Sequence, residues 1–573
     1  MCGICGIFGD YSKGQIVKMT DSLVHRGPDS DGYFYDKNIA LGFRRLSIID
    51  LKTGNQPIYN EDETVAIVFN GEIYNYKELR LKLEARGHRF TTNTDTETIV
   101  HAYEEFGEKE FANMLNGMFA FAIYDSNKKK LILARDRVGI KPLYYALVGK
   151  DLVFGSEIKA VLAANMMKAE VDFDGFSSYM LFGTSFGDRT LVRGVKRLLP
   201  GHMLTYDADG VEIRKFAKPG KIPEINPASL RKILEESVKS QMVADVPVGA
   251  FLSGGLDSSA VTALMKRSND NLKTFNIGFG REDDESRYAK AVAEHIGTDH
   301  HEVILNDSEV PKLLEEFIYY YDDLNWDAAA LPLYRLSKYA KKYVTVVLAG
   351  EGGDELFGGY NRYKFFSNYF SMIPNSIRMK FYEHFLKMSK KSWRNNSIKK
   401  PSHYGEHIVN SYFSNGISLK NVLEFEVEQT LPNQLLVKAD RATMAASLEG
   451  RVPLLDNRML DFAMATPDNM KLKGLEGKYI LRLAVKDLLP KITVKRAKQG
   501  FGASPHKWFE KKEFMDFAVS YLDDPHVKLP YYDNQFWKQL TDLKGIGTDK
   551  KKKGNTLWMM LCFEMWYRKF IED

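Results

Sequence analysis

Two sets of residues in this 573-residue chain have the types and spacing to do chemistry. The first opens with Cys2, because an initiator Met1 before a small residue is normally removed. Cys2 then carries a thiol and a free α-amine together, a nucleophile beside a base of ordinary pKa about 8. Acyl transfer then needs no histidine. Arg45 supplies a planar fork suited to an α-carboxylate, and Asp95 supplies a charge suited to an α-ammonium. Asn70 and the Gly71 N–H offer paired donors for the oxyanion of a tetrahedral intermediate. Together these residues meet the needs of glutamine hydrolysis.

The second set is Ser253-Gly254-Gly255-Leu256-Asp257-Ser258, between an apolar run (Val246 to Leu252) and a helix-like stretch. A strand, a small-residue turn and a helix start converge N–H groups on phosphate oxygens. No G-x-x-x-x-G-K-[ST] occurs, so the turn is not a Walker loop. A second loop, Gly350-Glu351-Gly352-Gly353-Asp354-Glu355, follows another apolar strand. Asp257, Glu351, Asp354 and Glu355 in one crevice repel each other unless a cation intervenes. Magnesium held by Asp257 and Asp354 and shared with pyrophosphate oxygens meets that need. Lys478, near a helix start, is placed to neutralise a phosphate.

The elements that must position these residues are of two kinds. Up to about Tyr206 strands alternate with polar turns; Arg45 leads a strand-like segment to Asp50, and a helix is expected from Glu97 to Phe106. Lys128 to Lys130 read as a solvated hairpin turn. Periodicity fades through Pro219-Gly220-Lys221-Ile222-Pro223. From Val246 strands and helices alternate, the signature of a doubly wound parallel sheet. The expected strands are Leu272–Gly278, His301–Leu305 and Tyr343–Ala349, with helices at Glu285–Ile296 and Leu331–Lys342. Ligands in such sheets bind beyond the carboxyl ends of strands, which turns both glycine loops toward one crevice. The expected units are 1–206, a linker at 207–228, and 229–573. Residues 361–428 carry no interpretable motif, and Asp549 to Gly554 read as an exposed loop.

Composition excludes several classes. A net charge of +5 is small for this length, and two short lysine runs do not make a nucleic-acid surface. No apolar run approaches the ~20 residues that span a bilayer, so no membrane partner is expected and the location is read as cytoplasmic. With only Cys2, Cys5 and Cys562, the Cys2–Cys5 pair lacks the further ligands of a zinc site, and Cys5 reads as a small buried hydrophobe. A homodimer is compatible with the sequence, which sets no oligomeric state.

The run from Cys2 through Arg26-Gly27-Pro28-Asp29, Arg45 to Asp50, Asn70 to Asn75, Asp95 and Ala134 to Tyr144, ending at Gly155 to Lys159, resembles the glutaminase domain of class II glutamine amidotransferases. That resemblance implies an N-terminal-nucleophile αββα sandwich. It also implies a glutamine pocket of Arg45, Leu46, Ser47, Ile48, Ile49, Asn70, Gly71, Glu72 and Asp95. Ser253 to Ser258 resemble the pyrophosphate loop of enzymes that split ATP to AMP, and the C-terminal half resembles the synthetase domain of glutamine-hydrolysing asparagine synthetases. The resemblance implies that Leu252, Ile277, Ala349 and Gly350 border adenosine, that Ser253 to Ser258 cradle pyrophosphate, and that Glu351 acts near an acyl-adenylate. The expected fold is thus α/β and α+β in two domains, and the substrates are glutamine, ATP and a carboxylate acceptor. Ammonia made at Cys2 is expected to cross an interior passage to the adenylate. The chain departs from the family pattern at Ala328, Ala329 and Ala349, where relatives carry arginine or serine. The acceptor therefore stands open between aspartate and another carboxylate, such as a sugar acid or a peptide precursor.

Overall fold

Alternation along the first strand sets the layering of the N-terminal half. In β1 (Gly3–Phe8), Ile4 and Phe8 face one buried layer while Cys5 and Ile7 face the other. The computed structural model describes residues 2–280, 284–366, 370, 372–388, 401–496, 503–523 and 548–572. β1 is central in an antiparallel sheet with β2 (Ser30–Asp36), β3 (Ile39–Arg45), β8 (Tyr144–Val148), β9 (Asp151–Gly155) and β10 (Lys196–Arg197), ordered β10-β8-β9-β1-β3-β2. A second antiparallel sheet is ordered β12-β11-β7-β6-β5-β4. Its strands are β4 (Ile58–Tyr59), β5 (Val65–Ile73), β6 (Gly117–Asp125), β7 (Lys130–Arg135), β11 (His202–Asp207) and β12 (Gly210–Lys215). Ile4, Leu41, Phe43, Val68, Ala120 and Leu133 fill the space between the sheets.

Helices cover both outer faces. On the first sheet lie α1 (Lys13–Asp21), α4 (Ile158–Ala163) and α5 (Phe173–Phe182), with Ile16, Val161 and Phe176 beside Cys5 and Ile7. On the second lie α2 (Tyr76–Glu84) and α3 (Thr96–Glu110), with Leu79, Ile99 and Tyr103 against Phe69 and Phe121. The result is the αββα sandwich. Ser12 starts α1 through a capping box with Gln15, which satisfies two orphan helix N–H groups locally. Cys5 packs beside Thr20, and burial pushes its thiol up to about 12, so it stays an inert hydrophobe.

Strand β5 runs through Asn70 and Gly71 to Ile73, pairing with β6 throughout. Two expectations about this half change. Residues 46–50 are a loop rather than a continuation of β3. The stretch taken as linker from 207 holds β12, paired with β11 from Asp207 to His202. Its Val211, Glu212 and Ile213 are exposed, so no buried stripe marked it as strand. The irregular connection is confined to 216–226, after which Asn226 caps α6 (Pro227–Gln241) through the Ser229 N–H at 2.8 Å.

The C-terminal sheet is parallel throughout, ordered β15-β14-β13-β16-β17. Its strands are β13 (Val248–Phe251), β14 (Lys273–Gly278), β15 (Asp299–Ile304), β16 (Val346–Leu348) and β17 (Glu449–Arg451). Helices α6 and α7 (Leu256–Lys266) cover the face that bears Val346 and Leu348. Helices α9 (Val310–Ile318) and α10 (Ala330–Ala340) cover the face that bears Phe275 and Val347, while α8 (Ser286–Ile296) follows β14. The chain leaves β13 toward β14 and β15, then returns to place β16 on β13's other flank. That reversal opens a crevice beyond the carboxyl ends of β13 and β16, where ligands of open α/β sheets bind.

Residues without a sequence motif turn out to be structural. Between 361 and 428, Tyr363, Phe366, Tyr382, Phe413 and Phe425 form an aromatic core with Phe182 and Phe186 of the sandwich half. The buried Glu426 carboxylate there accepts from Arg362 at 2.9 Å and from the Tyr382 hydroxyl at 3.0 Å. Asp549 to Gly554 are not a loop: Lys550 to Lys553 occupy the first turns of a helix, Thr548–Tyr567, whose Trp558, Phe563 and Trp566 are buried.

Candidate active sites

The first cluster sits at the edge of the second sheet, where β5 extends beyond its short partner β4. Residues 69, 71 and 73 direct their N–H groups to that edge. Phe69 donates to Gln56 Oε1 at 2.6 Å and Ile73 to Asp95 Oδ2 at 2.7 Å. Gly71 lies midway, so its N–H faces the same opening. A side chain at Gly71 would meet the Met118 carbonyl oxygen at 2.1 Å, which reserves the position for glycine. Asn70 Oδ1 accepts from the Cys2 backbone nitrogen at 3.2 Å, while its buried Nδ2 has no hydrogen-bond partner among the described residues. A buried amide with an unused donor is suited to hold an oxyanion.

Cys2 is buried, its thiol approaching the Leu46 carbonyl oxygen at 4.0 Å, and burial pushes that thiol up to about 11. Met1 lies outside the described residues. Arg45 is buried and holds the 46–50 loop by donating to the carbonyls of Ile49 at 3.3 Å and Asp50 at 2.6 Å. Leu46 and Ile48 pack into an apolar cluster with Leu230 and Ile233 of α6, and the Ser47 N–H is taken by Asp29 at 2.8 Å. Desolvation raises Asp95 to about 6, offset in part by the Ile73 N–H bond. Glu72 is raised well above the usual carboxylate range, by burial first and then by Asp95 and Glu449.

Two residues of this cluster, Glu449 and Arg451, come from the other half. Arg451 on β17 bonds Glu449 at 2.6 Å and approaches Glu72 at 3.3 Å. It also donates to the Gln241 and Val243 carbonyls, each at 2.7 Å. The end strand of the parallel sheet thereby forms one wall of the Cys2 cluster. Only tertiary proximity reveals it.

The second cluster occupies the crevice at the β13/β16 reversal, a cavity of about 230 Å³. Helix α7 starts at Gly255 without a side-chain cap, which leaves its first N–H groups for an anion. Ser253 and Ser258 hydroxyls bond each other at 2.9 Å, and the Ser253 N–H reaches Ser258 Oγ at 3.2 Å. The two glycine loops touch: a side chain on Gly350 would meet the Ser258 nitrogen at 2.5 Å, and one on Gly353 would meet Asp257 Oδ1 at 2.6 Å. Lys478, buried and with a left-handed backbone (φ 56°), stands between the carboxylates of Asp257 and Asp354, the latter at 2.7 Å. Its ammonium thus occupies the position of a cation between the two carboxylates, so the pair fits a divalent ion once a ligand draws the lysine away.

Of the residues assigned to ATP, Leu252, Ser253, Gly255, Leu256, Asp257, Ser258, Ala349 and Gly350 line this cavity. Ile277 does not: it is turned into the core with Phe317 and Leu331, and Asn276 lines the cavity in its place. Gly254 stands behind the loop (φ 72°) against Tyr288 and Ala289, with its carbonyl reached by Arg496 at 3.4 Å. Glu351 lines the far side with Lys438, whose ammonium bonds Asp327 at 2.9 Å. Glu355, bonded by the Tyr360 hydroxyl at 2.6 Å, is raised to about 7 by burial and then by Asp354.

A second cavity, of about 20 Å³, shares Phe251, Leu333, Ala349 and Glu351 with the larger one and extends to Ile140, Lys141 and Asp440. Arg26, fully buried, donates to the Cys2 carbonyl at 3.1 Å, to Asp440 at 2.8 and 3.1 Å and to Glu157 at 2.7 Å. One guanidinium therefore ties the Cys2 backbone to Asp440, which lines the smaller cavity. Arg26→Ala leaves two buried carboxylates short of a partner and is expected to cost about 3–5 kcal/mol. Urea unfolding measures it, and an unchanged midpoint would contradict the assignment.

Residues 229–568 match the family model described as asparagine synthase, and 1–217 match that of the glutamine amidotransferase domain. The chain is 35% identical over 621 residues to asparagine synthetase [glutamine-hydrolyzing] 1 of Bacillus subtilis, covering 100% of this chain and 97% of that one. It is 33% identical over 550 residues to that organism's asparagine synthetase [glutamine-hydrolyzing] 3, covering 89% and 88%. Asparagine synthetase [glutamine-hydrolyzing] 2 of Oryza sativa is 33% identical over 535 residues, covering 87% and 77%. Among the described residues no helix is long and apolar enough to cross a membrane.

Proposed function

The chain belongs to the glutamine-hydrolysing asparagine synthetase family, and on that premise we propose that this glutamine-hydrolysing ligase amidates aspartate, forming asparagine, glutamate, AMP and pyrophosphate. The observation that supports this reading best is Arg26, which bonds the Cys2 carbonyl and also Asp440, on the wall of a small cavity that reaches Glu351. Two separate chemistries in one chain need such a link. The glutaminase unit would run from the N-terminus through β12, and the synthetase unit would begin with α6.

In the glutaminase site, Met1 removal frees the Cys2 amine to take the thiol proton, which burial otherwise holds in place. The thiolate adds to the glutamine amide carbon, and Asn70 Nδ2 and the Gly71 N–H hold the oxyanion. Ammonia leaves with the proton returned by the amine, and water then releases glutamate from the thioester. Arg45 would hold the substrate carboxylate and Asp95 its ammonium. Asn70→Ala is expected to lower glutamine turnover about 10²–10³-fold with little change in glutamine KM. A raised glutamine KM with turnover unchanged would instead assign Asn70 to ground-state binding.

Asp95 also sets a pH dependence. Only its ionised form binds an ammonium, and its value is raised to about 6. The kcat/KM for glutamine is therefore expected to fall about tenfold per pH unit below 6. Activity with ammonia, corrected for free NH3, should lack that step. An identical fall with both nitrogen donors would remove Asp95 from the role.

In the synthetase site, the aspartate side-chain carboxylate attacks the α-phosphorus of ATP and expels pyrophosphate. Ser253 to Ser258 and the start of α7 would bind the phosphates, and Lys478 would neutralise charge developing on them. Asp257 and Asp354 would hold magnesium, which when bound supplies further charge neutralisation to the pyrophosphate. Ammonia emerging beside Glu351 then adds to the acyl-adenylate, Glu351 takes the surplus proton, and AMP leaves. An interior route shielded from water would keep ammonia unprotonated until it arrives.

Ala329, Leu333 and Phe251 make one side of the cavity apolar, which favours testing a second reading in which another carboxylate is the acceptor. Radiolabelled aspartate supplied with ATP, magnesium and glutamine decides between them. Labelled asparagine equal in amount to AMP supports aspartate; its absence while other carboxylates drive pyrophosphate release supports the second reading.

A further inference from the structure

On the outer face of the sandwich half, three separate chain segments bring together Glu61, His88, His101 and Glu104. Glu61 follows β4, His88 follows α2, and His101 and Glu104 lie on adjacent positions of one face of α3. One ligand atom from each lies within 4.8 Å of the others. His101 is fully buried, yet neither of its ring nitrogens has a hydrogen bond of ordinary geometry. Its Nδ1 stands 3.3 Å from Glu61 and 3.5 Å from Glu104, and His88 Nδ1 stands 3.1 Å from Glu61. Those separations approach the ~3.4 Å edge of a tetrahedron with metal–ligand bonds of ~2.0–2.1 Å.

The surrounding groups are those that orient metal ligands. Glu104 Oε1 accepts from Asn60 at 2.7 Å, and Glu61 Oε1 accepts from the Arg89 N–H at 3.0 Å. On the far side of the imidazole, Glu97 faces His101 Nε2 at 3.6 Å and is itself held by the N–H groups of Thr91 and Thr92, each at 2.7 Å. A histidine with one nitrogen toward a cluster and the other toward a fixed carboxylate is the carboxylate–histidine–metal pattern. Both glutamates reach solvent, which leaves an entry path.

We propose that Glu61, His88, His101 and Glu104 form a structural site for one divalent ion of the zinc class, separate from both reaction centres. Two imidazoles and two carboxylates suit zinc over magnesium or calcium, which take oxygen-only shells. Four protein ligands leave no open position, so the ion fixes structure instead of catalysing. What it fixes is α3, whose first residue follows Asp95.

The competing arrangement is a protonated His101 that balances the carboxylates without metal; its imidazole is raised to about 9 by Glu104 and Glu97 against the opposing effect of burial. Cobalt titrated into chelator-treated full-length protein, with magnesium saturating, separates the two. The site predicts one equivalent of cobalt with the visible bands of a tetrahedral complex, displaced by zinc, and a thermal transition that zinc raises by several degrees. Glu104→Gln and His88→Gln, both at partly accessible positions, should each abolish the bands and the zinc-dependent shift. No bands, or bands that persist in both variants, would overturn the proposal. So would a histidine NMR spectrum in which His101 stays doubly protonated with zinc present.

Discussion

Cys2→Ala is expected to lower glutamine-dependent asparagine formation by roughly 10⁴-fold or more, about 5.5 kcal/mol of transition-state stabilisation. The thiol is the sole nucleophile in its cluster, so nothing remains to form the thioester. Activity with ammonia should stay within about twofold, because the synthetase cavity does not include Cys2 and distant sites behave independently. Both rates come from one assay of AMP release with the two nitrogen donors. Loss of both activities would mean that the substitution disturbs the fold beyond its own site instead of removing a nucleophile. Normal glutamine hydrolysis by the variant would end the nucleophile assignment.

Lys478→Met is expected to lower AMP formation by about 10²–10³-fold, whichever nitrogen donor is used. The ammonium now separates Asp257 from Asp354, and without it two buried carboxylates face each other. The variant should therefore bind magnesium more tightly in the absence of ATP while turning over far more slowly. That opposition distinguishes a group acting on the transferring phosphates from a mere structural ion pair. Calorimetric magnesium titration beside steady-state kinetics reads it. Unchanged turnover with weakened magnesium binding would contradict the role.

What could be read from the sequence was local. Ser253 to Ser258 announce a strand-turn-helix because glycine and hydroxyl residues follow an apolar run, and the crevice forms there. Asp95 precedes a helix, and Asn70-Gly71 follow a strand-like stretch, so the components of the Cys2 cluster were recognisable before their arrangement was. The arrangement needed tertiary structure. Arg26 reaches Asp440 across 414 positions, and no spacing rule links them. Glu449 and Arg451 lie on a three-residue strand too short to show a pattern, and only the docking of β17 beside Glu72 places their charges. Strand β12 escaped notice because its outer residues are exposed, and the aromatic stretch after 361 because its partners lie in α5 and the residues just beyond it.

The central claim is that nitrogen released at Cys2 is delivered inside the chain to an aspartyl-adenylate beside Glu351. Its most direct test uses glutamine labelled with ¹⁵N in the amide, aspartate, ATP and magnesium, in a buffer containing excess unlabelled ammonium at a pH where little is NH3. Mass spectrometry of the product is predicted to find asparagine carrying the ¹⁵N amide, equal in amount to AMP. Asparagine with the unlabelled amide of the buffer, or AMP formed with no asparagine, would contradict it.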